Sequence, residues 1–395
     1  MKKYWFTILP QCFLWTKDEK GLVYNTENHN TIKFTNSGLL MKKVTQLSAM
    51  DNLYCIHLNE KEFGDVNLNI WIQNLIDNGC ALLIEDNGIN QRPLSLPPKL
   101  KVQDEVDFYQ WEHQQGIGGN IIENLHHIIF NINGSEFGND FYARQTLYPT
   151  TSSKKLPAKD ILQFTMNART SPFLAKVSLI GNPFVYNDLD WLINSLQKIC
   201  SISVFCTWED AQNSLDVLKS LATKVNLHIV AKNKAALKNL PPKAICTLLV
   251  TSKQEYEMAS QYNEKKELIN IIPVYTGSNL KFFEECLYME EDNMSNLFLS
   301  KREIFIHQKL NIQDFGKLTV MADGQIYANV NHEAIGNIKD TPHAIVYREI
   351  TEGHSWLRIR DNKPCCECIY QWLCPTPSHY EDVIGKQNLC NIVNS

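Results

Sequence analysis

From about residue 125 the chain alternates short β-forming runs with helical patterns, six times over, and no other feature narrows its fold as much. The strand-like runs cover 127–132, 176–180, 202–207, 225–230, 244–250 and 268–275. Between and after them, apolar residues recur at helical spacing over 158–168, 188–200, 209–223, 232–239, 253–264 and 278–289. Parallel neighbours need a crossover long enough to hold a helix, so this rhythm predicts an α/β fold with a parallel sheet and helices outside it. Right-handed crossovers would either curl six such strands into an open partial (β/α)6 barrel or lay them out as a doubly wound sheet. The residues leave both arrangements open.

Residues 1–90 read as a smaller mixed module. Runs at 12–16, 22–26 and 31–35 carry β-formers, and 17–21 and 27–30 are turn-like. Beyond Asn36-Ser37, Leu39, Leu40, Val44 and Leu47 stand at helical spacing, and 65–78 repeats the pattern with Leu68, Trp71, Leu75 and Ile76. With a further β-like run at 80–85, this suits a compact winged-helix-like unit. Residues 91–124 form a connection, proline-bearing at first and then helical around Tyr109 and Trp111. The body is assigned to 125–299. A last region, 300–395, opens with a hairpin over 316–330 that turns at Asp323-Gly324.

A chain of 395 residues, 44% hydrophobic and 21% charged, has room for two or three domains with real cores. The formal charge of −5, with no basic block, argues against nucleic acid as a partner. No apolar run approaches a membrane span, and the apolar start is too short for a signal segment, so a cytoplasmic protein is expected. Of the twelve cysteines, Cys12, Cys55, Cys80, Cys200, Cys206, Cys246 and Cys286 are scattered and read as small buried hydrophobes. The others crowd into the tail as Cys365-x2-Cys368-x5-Cys374 and a distant Cys390, with Cys366 as a spare thiol. A CxxC pair puts two sulfurs on one tight turn, and two more close a coordination shell. Four-cysteine zinc and an iron–sulfur cluster share this ligand set, and spacing does not separate them.

Other candidates carry less. Gly116–Asn120 follows a helical stretch and lacks the Gly-Lys-Ser/Thr of a phosphate loop, so it reads as a turn. His126 and His127 enter a strand, where successive side chains oppose each other. Glu284, Glu285, Glu290, Glu291 and Asp292 read as a solvated face, and Trp191 and Trp208 as packing residues. No nucleophile–base pair or HExxH is present, and no catalytic or organic-cofactor residue is assigned.

Several segments share an order that resembles a known family. They are the hairpin with Gly324 followed by Ile335-Gly336-Asn337, the CxxCx5C core with its late Cys390, and Ser178-Leu179-Ile180-Gly181-Asn182-Pro183-Phe184 after the second body strand. This order resembles radical-SAM proteins with a C-terminal SPASM domain. Trp356, Arg360-Asp361, the stretch from Tyr370 to Pro375, Tyr380-Glu381 and Asn388-Leu389-Cys390 carry a closer likeness. They resemble the pseudo-radical-SAM proteins of Bacteroidales-type systems that handle GG-motif precursors of ribosomally synthesised peptides (RiPPs). The resemblance implies a degenerate radical-SAM-like partial barrel, an N-terminal RiPP recognition element and a SPASM domain. It implies one auxiliary [4Fe-4S] cluster on Cys365, Cys368, Cys374 and Cys390, with zinc as the alternative. Ser378 replaces a further cysteine of the family pattern. The 178–184 segment resembles the family's GGEP motif with Ile180 for a glycine and Asn182 for the glutamate. The loop at 133–142 lacks the family's three catalytic cysteines, so S-adenosylmethionine is not expected to bind. The expected function is a non-catalytic adaptor for a GG-motif-type precursor peptide and a partner maturase. The leader would dock near Ile32, Phe34, Trp71 and Leu75, residues that a core would equally explain. The alternative is a peptide-modifying redox maturase that uses the tail cluster or a pocket at the sheet mouth, near Gly181, Asn182 and residues 133–139.

Overall fold

The computed structural model describes residues 2–98, 103–116, 118–170, 172–233, 236–237, 240–263 and 269–392. Six short strands shape the N-terminal region: β1 (Lys3–Ile8), β2 (Cys12–Lys17), β3 (Lys20–Asn25), β4 (Thr31–Thr35), β5 (Cys55–Asn59) and β6 (Ala81–Glu85). They form two antiparallel sheets, β2-β3-β4 and β5-β1-β6. Helices Gly38–Ser48 and Val66–Asp77 seal them into one core through Leu40, Val44, Leu68 and Leu75 against Phe6, Ile56, Leu14 and Val23. Asp65 starts the second helix by accepting the Leu68 N–H at 2.9 Å. The winged-helix-like reading covers β2–β4, β6 and both helices. It did not include β1 and β5. β1 is specified by pairing with β5 on one side and β6 on the other, and β5 by pairing with β1, across more than forty residues of sequence and not by local alternation.

The body contains β7 (His127–Asn131), β8 (Lys176–Ile180), β9 (Ser201–Thr207), β10 (Asn226–Ala231), β11 (Ile245–Val250) and β12 (Ile269–Pro273). All six run parallel and lie side by side in chain order. A doubly wound sheet reverses its order at a switch point. This one never does, so every right-handed crossover drops its helix onto the same face. Strand alternation then sorts the side chains. Phe130, Leu179, Val204 and Ile229 join Phe164, Leu192 and Leu218 of the helices. Ile129, Ile180, Phe205, Val230 and Leu249 point the other way and meet Tyr142, Leu147 and Tyr148 of the loop after β7.

Two helical expectations change. The 209–223 pattern divides into Trp208–Ala211 and Leu215–Lys224. Thr207 caps the first piece by accepting the Asp210 N–H at 3.1 Å, which starts a short turn before the longer helix can begin. The 232–239 pattern falls partly on residues outside those described. Trp208 is buried as read, whereas Trp191 lies 46% exposed. No described helix is long and apolar enough to cross a membrane.

Beyond the body, β13 (Lys317–Val320) adds parallel to β7, and β14 (Gln325–Tyr327) and β15 (Gly336–Asn337) extend the sheet antiparallel to nine strands. The turn at Asp323-Gly324 falls where the sequence puts it. Gly324 has φ +90°, a conformation that favours glycine.

Helix Pro342–Thr351 packs beside this hairpin and buries Glu349 to 1% exposure. One Glu349 oxygen accepts the N–H groups of Ser355 (2.9 Å) and Trp356 (2.7 Å). Burial nonetheless pushes the carboxyl up to about 7. A folded value above the unfolded one means that the native state holds a proton the unfolded chain has already lost. Stability from this group is therefore complete below the ordinary carboxylate range and drains away as pH rises toward 7, by on the order of 3 kcal/mol. Glu349→Gln should flatten this pH dependence. Urea midpoints at pH 5 and pH 8 should lie closer together in the variant than in the parent; an unchanged gap would contradict the assignment.

Candidate functional site

The tail brings its sulfurs together from three directions. Cys365 begins a single turn, Cys365–Glu367, and the Cys368 N–H closes that turn on the Cys365 carbonyl at 3.1 Å. Cys374 follows through its N–H bond to the Tyr370 carbonyl at 3.0 Å. Cys390 arrives by a short parallel bridge to Met289. Cys365, Cys368, Cys374 and Cys390 all line one cavity of about 210 Å³, and Cys366 does not. Backbone N–H groups point at two of the sulfurs, Tyr370 N at Cys368 Sγ (3.4 Å) and Ile392 N at Cys390 Sγ (3.2 Å). The Arg360 guanidinium reaches Cys365 Sγ at 3.6 Å and Glu381 at 2.9 Å.

Burial pushes the Cys374 thiol up to about 12 and raises Cys365 and Cys368, with Arg360 opposing the rise at Cys365 and Cys374. Cys365, Cys368 and Cys390 all act electrostatically on Cys374, and Cys365 and Cys390 act on Cys368. A cation entering here would displace protons as it bound. A lone zinc needs its sulfurs drawn in to roughly 2.3 Å. Among the described residues no group of three or more His, Cys, Asp or Glu is drawn close enough to hold a metal ion. Four cysteines with N–H donors aimed at two of the sulfurs are a ligand set that an iron–sulfur cluster or a single zinc could use. Ser378 lines the same cavity, but its N–H is tied to Glu381 at the start of helix His379–Ile384.

At the carboxyl ends of the body strands, the loop at 133–142 and the segment at 181–183 do converge, but onto each other. Asp210 is the hub, accepting from Ser135 Oγ (2.6 Å), Thr207 Oγ1 (2.7 Å) and Asn182 Nδ2 (2.8 Å). Asn133 Oδ1 accepts the Asn182 N–H at 2.8 Å. A side chain at Gly181, whose φ is +145°, would strike Asn133 Oδ1 at 2.2 Å and the Asn133 carbonyl at 2.7 Å, so only glycine fits beside this loop. Sequence reasoning passed over Asp210. The Thr-x2-Asp pattern after a strand signals a helix cap, but nothing local signals the reach to Ser135. Below this clasp, on the helix-free face, lies a cavity of about 530 Å³ bordered by His127, Asn131, Gln145, Lys317, Met321 and His379.

A third feature joins the N-terminal module to the tail. Phe13, Leu22 and Tyr24 of the β2-β3-β4 sheet pack with Met294, Tyr370 and Leu373, beside Cys368, Cys374 and Cys390. The free edge of β4 borders a groove of about 610 Å³, with Lys20, Gly21, Lys33, Phe34 and Thr35 on one side and Pro364, Glu367, Cys368, Ile369 and Tyr370 on the other. The Asn25-to-Asn30 and Asn36-to-Glu19 bonds set the phase of the β3–β4 ladder. Alternation then turns the backbone groups of Thr31, Lys33 and Thr35 toward the open edge. Phe34 lies across Gly21, so close that a Cβ there would meet the ring at 2.1 Å. Of the expected docking residues, Phe34 lines the groove and Ile32 is half-buried on the same strand. Trp71 and Leu75 are 3% and 0% exposed in the module core and present no surface to a peptide. They belong to a helix whose apolar side faces inward. Glu291 is exposed, as expected of a solvated face, and from there bridges Lys33 (2.7 Å) and the Tyr370 hydroxyl (2.8 Å).

No protein-family model and no curated protein matches this sequence. Among solved structures, the chain is similar to Streptococcus suis SuiB bound to precursor peptide SuiA, at 12% identity and TM-score 0.47, covering 100% of this chain and 99% of that one. It is also similar to SuiB bound to S-adenosylmethionine, at 12% identity and TM-score 0.45, over 98% and 99% of the two chains. A further similar structure is BtrN in complex with AdoMet and 2-DOIA, at 11% identity and TM-score 0.29, over 62% of this chain and 96% of that one.

Removing the hub should loosen the mouth without unfolding the sheet. Asp210→Ala forfeits three charge-assisted hydrogen bonds and should cost about 2–3 kcal/mol. Hydrogen exchange should rise across 133–152 and stay unchanged in β1–β6; uniform protection would refute the clasp.

Proposed function

We propose that this chain is a non-catalytic adaptor in the maturation of a ribosomally synthesised peptide. Its body is a degenerate radical-SAM-like partial barrel, its N-terminal module a peptide-recognition element, and its tail a SPASM domain with one [4Fe-4S] cluster on Cys365, Cys368, Cys374 and Cys390. In this reading it works in the cytoplasm, takes the leader of a GG-motif-type precursor and presents it to a partner maturase. One observation carries the proposal: Cys368 lines both the thiol cavity and the groove beside β4. A peptide adding to the edge of β4 would gain backbone hydrogen bonds from Thr31, Lys33 and Thr35, with Phe34 offering an apolar contact. The opposite wall of its groove is the very turn that the cluster would hold. When bound, the cluster supplies structural cross-linking of the tail and an electron-accepting centre. Tyr370 and Ile392 N–H groups and Arg360 would stabilise the thiolates. The loop at 133–142 has no thiolate to hold a reactive iron, which favours an adaptor over a radical enzyme.

The alternative, a peptide-modifying redox maturase, draws on the 530 Å³ cavity, where buried Asp314 holds His379 Nε2 at 2.7 Å. Cleavage of S-adenosylmethionine under reductant by anaerobically purified protein would favour that reading and displace the adaptor.

Anaerobic material should contain about four iron and four sulfide per chain with little zinc. Stoichiometric zinc would remove the cluster from the account. Proline is tolerated on an edge strand where the N–H faces solvent. Lys33→Pro should therefore keep the parent's melting temperature while weakening cognate-leader binding about tenfold, the worth of one lost backbone bond. Equal affinity of parent and variant by isothermal titration would place the leader elsewhere.

A further inference from the structure

We propose that the helix-free face of the sheet carries a carboxylate-binding site built from Lys317, His127 and Lys176, at the amino-terminal ends of β13, β7 and β8. The three residues are in direct register on adjacent parallel strands, Lys317 opposite His127 and His127 opposite Lys176. Parallel strands in register send paired side chains to the same face, about 4.8 Å apart from strand to strand. That face is the one without helices, because Ile129 and Ile180, two and four residues further along β7 and β8, belong to its apolar cluster. Three basic side chains thus stand in one row, and Lys317 and His127 border the 530 Å³ cavity.

Among the described residues neither lysine of the row forms an ion pair, although the Asp314 charge acts on Lys317 from nearby. Lys317 Nζ donates to the Gln313 carbonyl at 2.5 Å, and His127 Nε2 pairs with Ser178 Oγ at 2.9 Å. The carboxylates around the cavity are engaged elsewhere. Asp140 accepts the Thr151 N–H (2.9 Å) and hydroxyl (2.7 Å). Asp314 is held by His379 (2.7 Å) and Asn329 (3.0 Å), with Arg358 at 3.7 Å. Asp323 faces Lys154 at 3.9 Å. Burial lowers both lysines below their usual range, and burial together with these lysines holds His127 at about 3. The neutral imidazole therefore sits between two cations as a hydrogen-bonding spacer. A partly desolvated pair of lysines flanking such a spacer gains most from an anion that accepts from both.

The rest of the cavity selects the kind of anion. Asn131, whose amide N–H meets the soft Met321 sulfur at 3.4 Å, borders the cavity as a polar contact, and Ile129, Ile180 and Met321 offer apolar ones. A carboxylate on a short organic stem fits this gradient better than a free inorganic ion does. On the peptide reading above, the source would be an acidic side chain or the terminal carboxylate of the precursor. The site lies at the opposite ends of the strands from the clasped mouth, and far in the chain from the β4 groove.

The test uses the full chain and saturation-transfer NMR with four small probes: N-acetylglutamate α-amide, N-acetylglycine, N-acetylglutamine amide and inorganic phosphate. At least one of the two carboxylates should saturate about tenfold below the neutral amide, and which one does so separates a side-chain source from a terminal one. Lys176→Met and Lys317→Met should each weaken that probe about fivefold or more, and Lys176→Arg should restore it. Thermal melts of the variants control for folding, and the arginine variant keeps the test informative if a methionine variant fails. Saturation by phosphate alone, by no probe, or to the same extent in the parent and both methionine variants would overturn the proposal. Leader titration at β4 uses a different ligand and different residues, so failure here leaves that reading intact and the converse also holds.

Discussion

Because each crossover of the six-stranded body turns the same way, all of its helices lie on one side, and the opposite face must be covered by something else. The apolar residues that alternate onto that face, Ile129, Ile180, Phe205, Val230 and Leu249, would otherwise stand in water. They are met by the loop after β7, through Leu147 and Tyr148, and the hairpin of β13 and β14 prolongs the sheet beside them. The 530 Å³ cavity is what remains between these covers. Loop, hairpin and cavity are therefore consequences of one-sided winding.

The same dependence explains why the mouth is so firmly closed on itself. A loop recruited as a lid carries polar backbone into a partly buried place, and those groups need partners. Asp210 supplies them by gathering Ser135, Thr207 and Asn182 at a single carboxylate. Gly181 lies so close to Asn133 that a side chain there would meet Asn133 Oδ1 at 2.2 Å. Chemistry that requires an open mouth would first have to undo this clasp.

The tail follows another logic. Burial holds Cys365, Cys368 and Cys374 toward their protonated forms, so a cation binding among these thiols would have to displace protons. The N-terminal module shares that region, since Phe13, Leu22 and Tyr24 pack into the same cluster as Leu373 and Tyr370. Any centre that orders the 365–374 turn would stiffen one wall of the β4 groove. The N-terminal module and the thiol-bearing tail are thereby coupled through contact.

Local pattern was enough to locate most of the regular structure. Strands with alternating or β-branched runs, such as β8 and β9, and the Gly324 turn are legible because period and turn chemistry act over a few residues. The grouping of Cys365, Cys368, Cys374 and Cys390 was likewise readable, since spacing and chemistry single out these four over the adjacent Cys366. What sequence could not reveal was anything carried by pairing at long range. β1 and β5 stabilise each other across some fifty residues, Asp210 finds Ser135 from another strand's end, and Trp71 and Leu75 turn inward because two sheets enclose their helix. Strand order itself belongs to this class. Alternating β and α segments specify crossovers, but only the assembled sheet, minimising exposed apolar area, decides that they all fall on one side and so leaves a basic row and a cavity on the other.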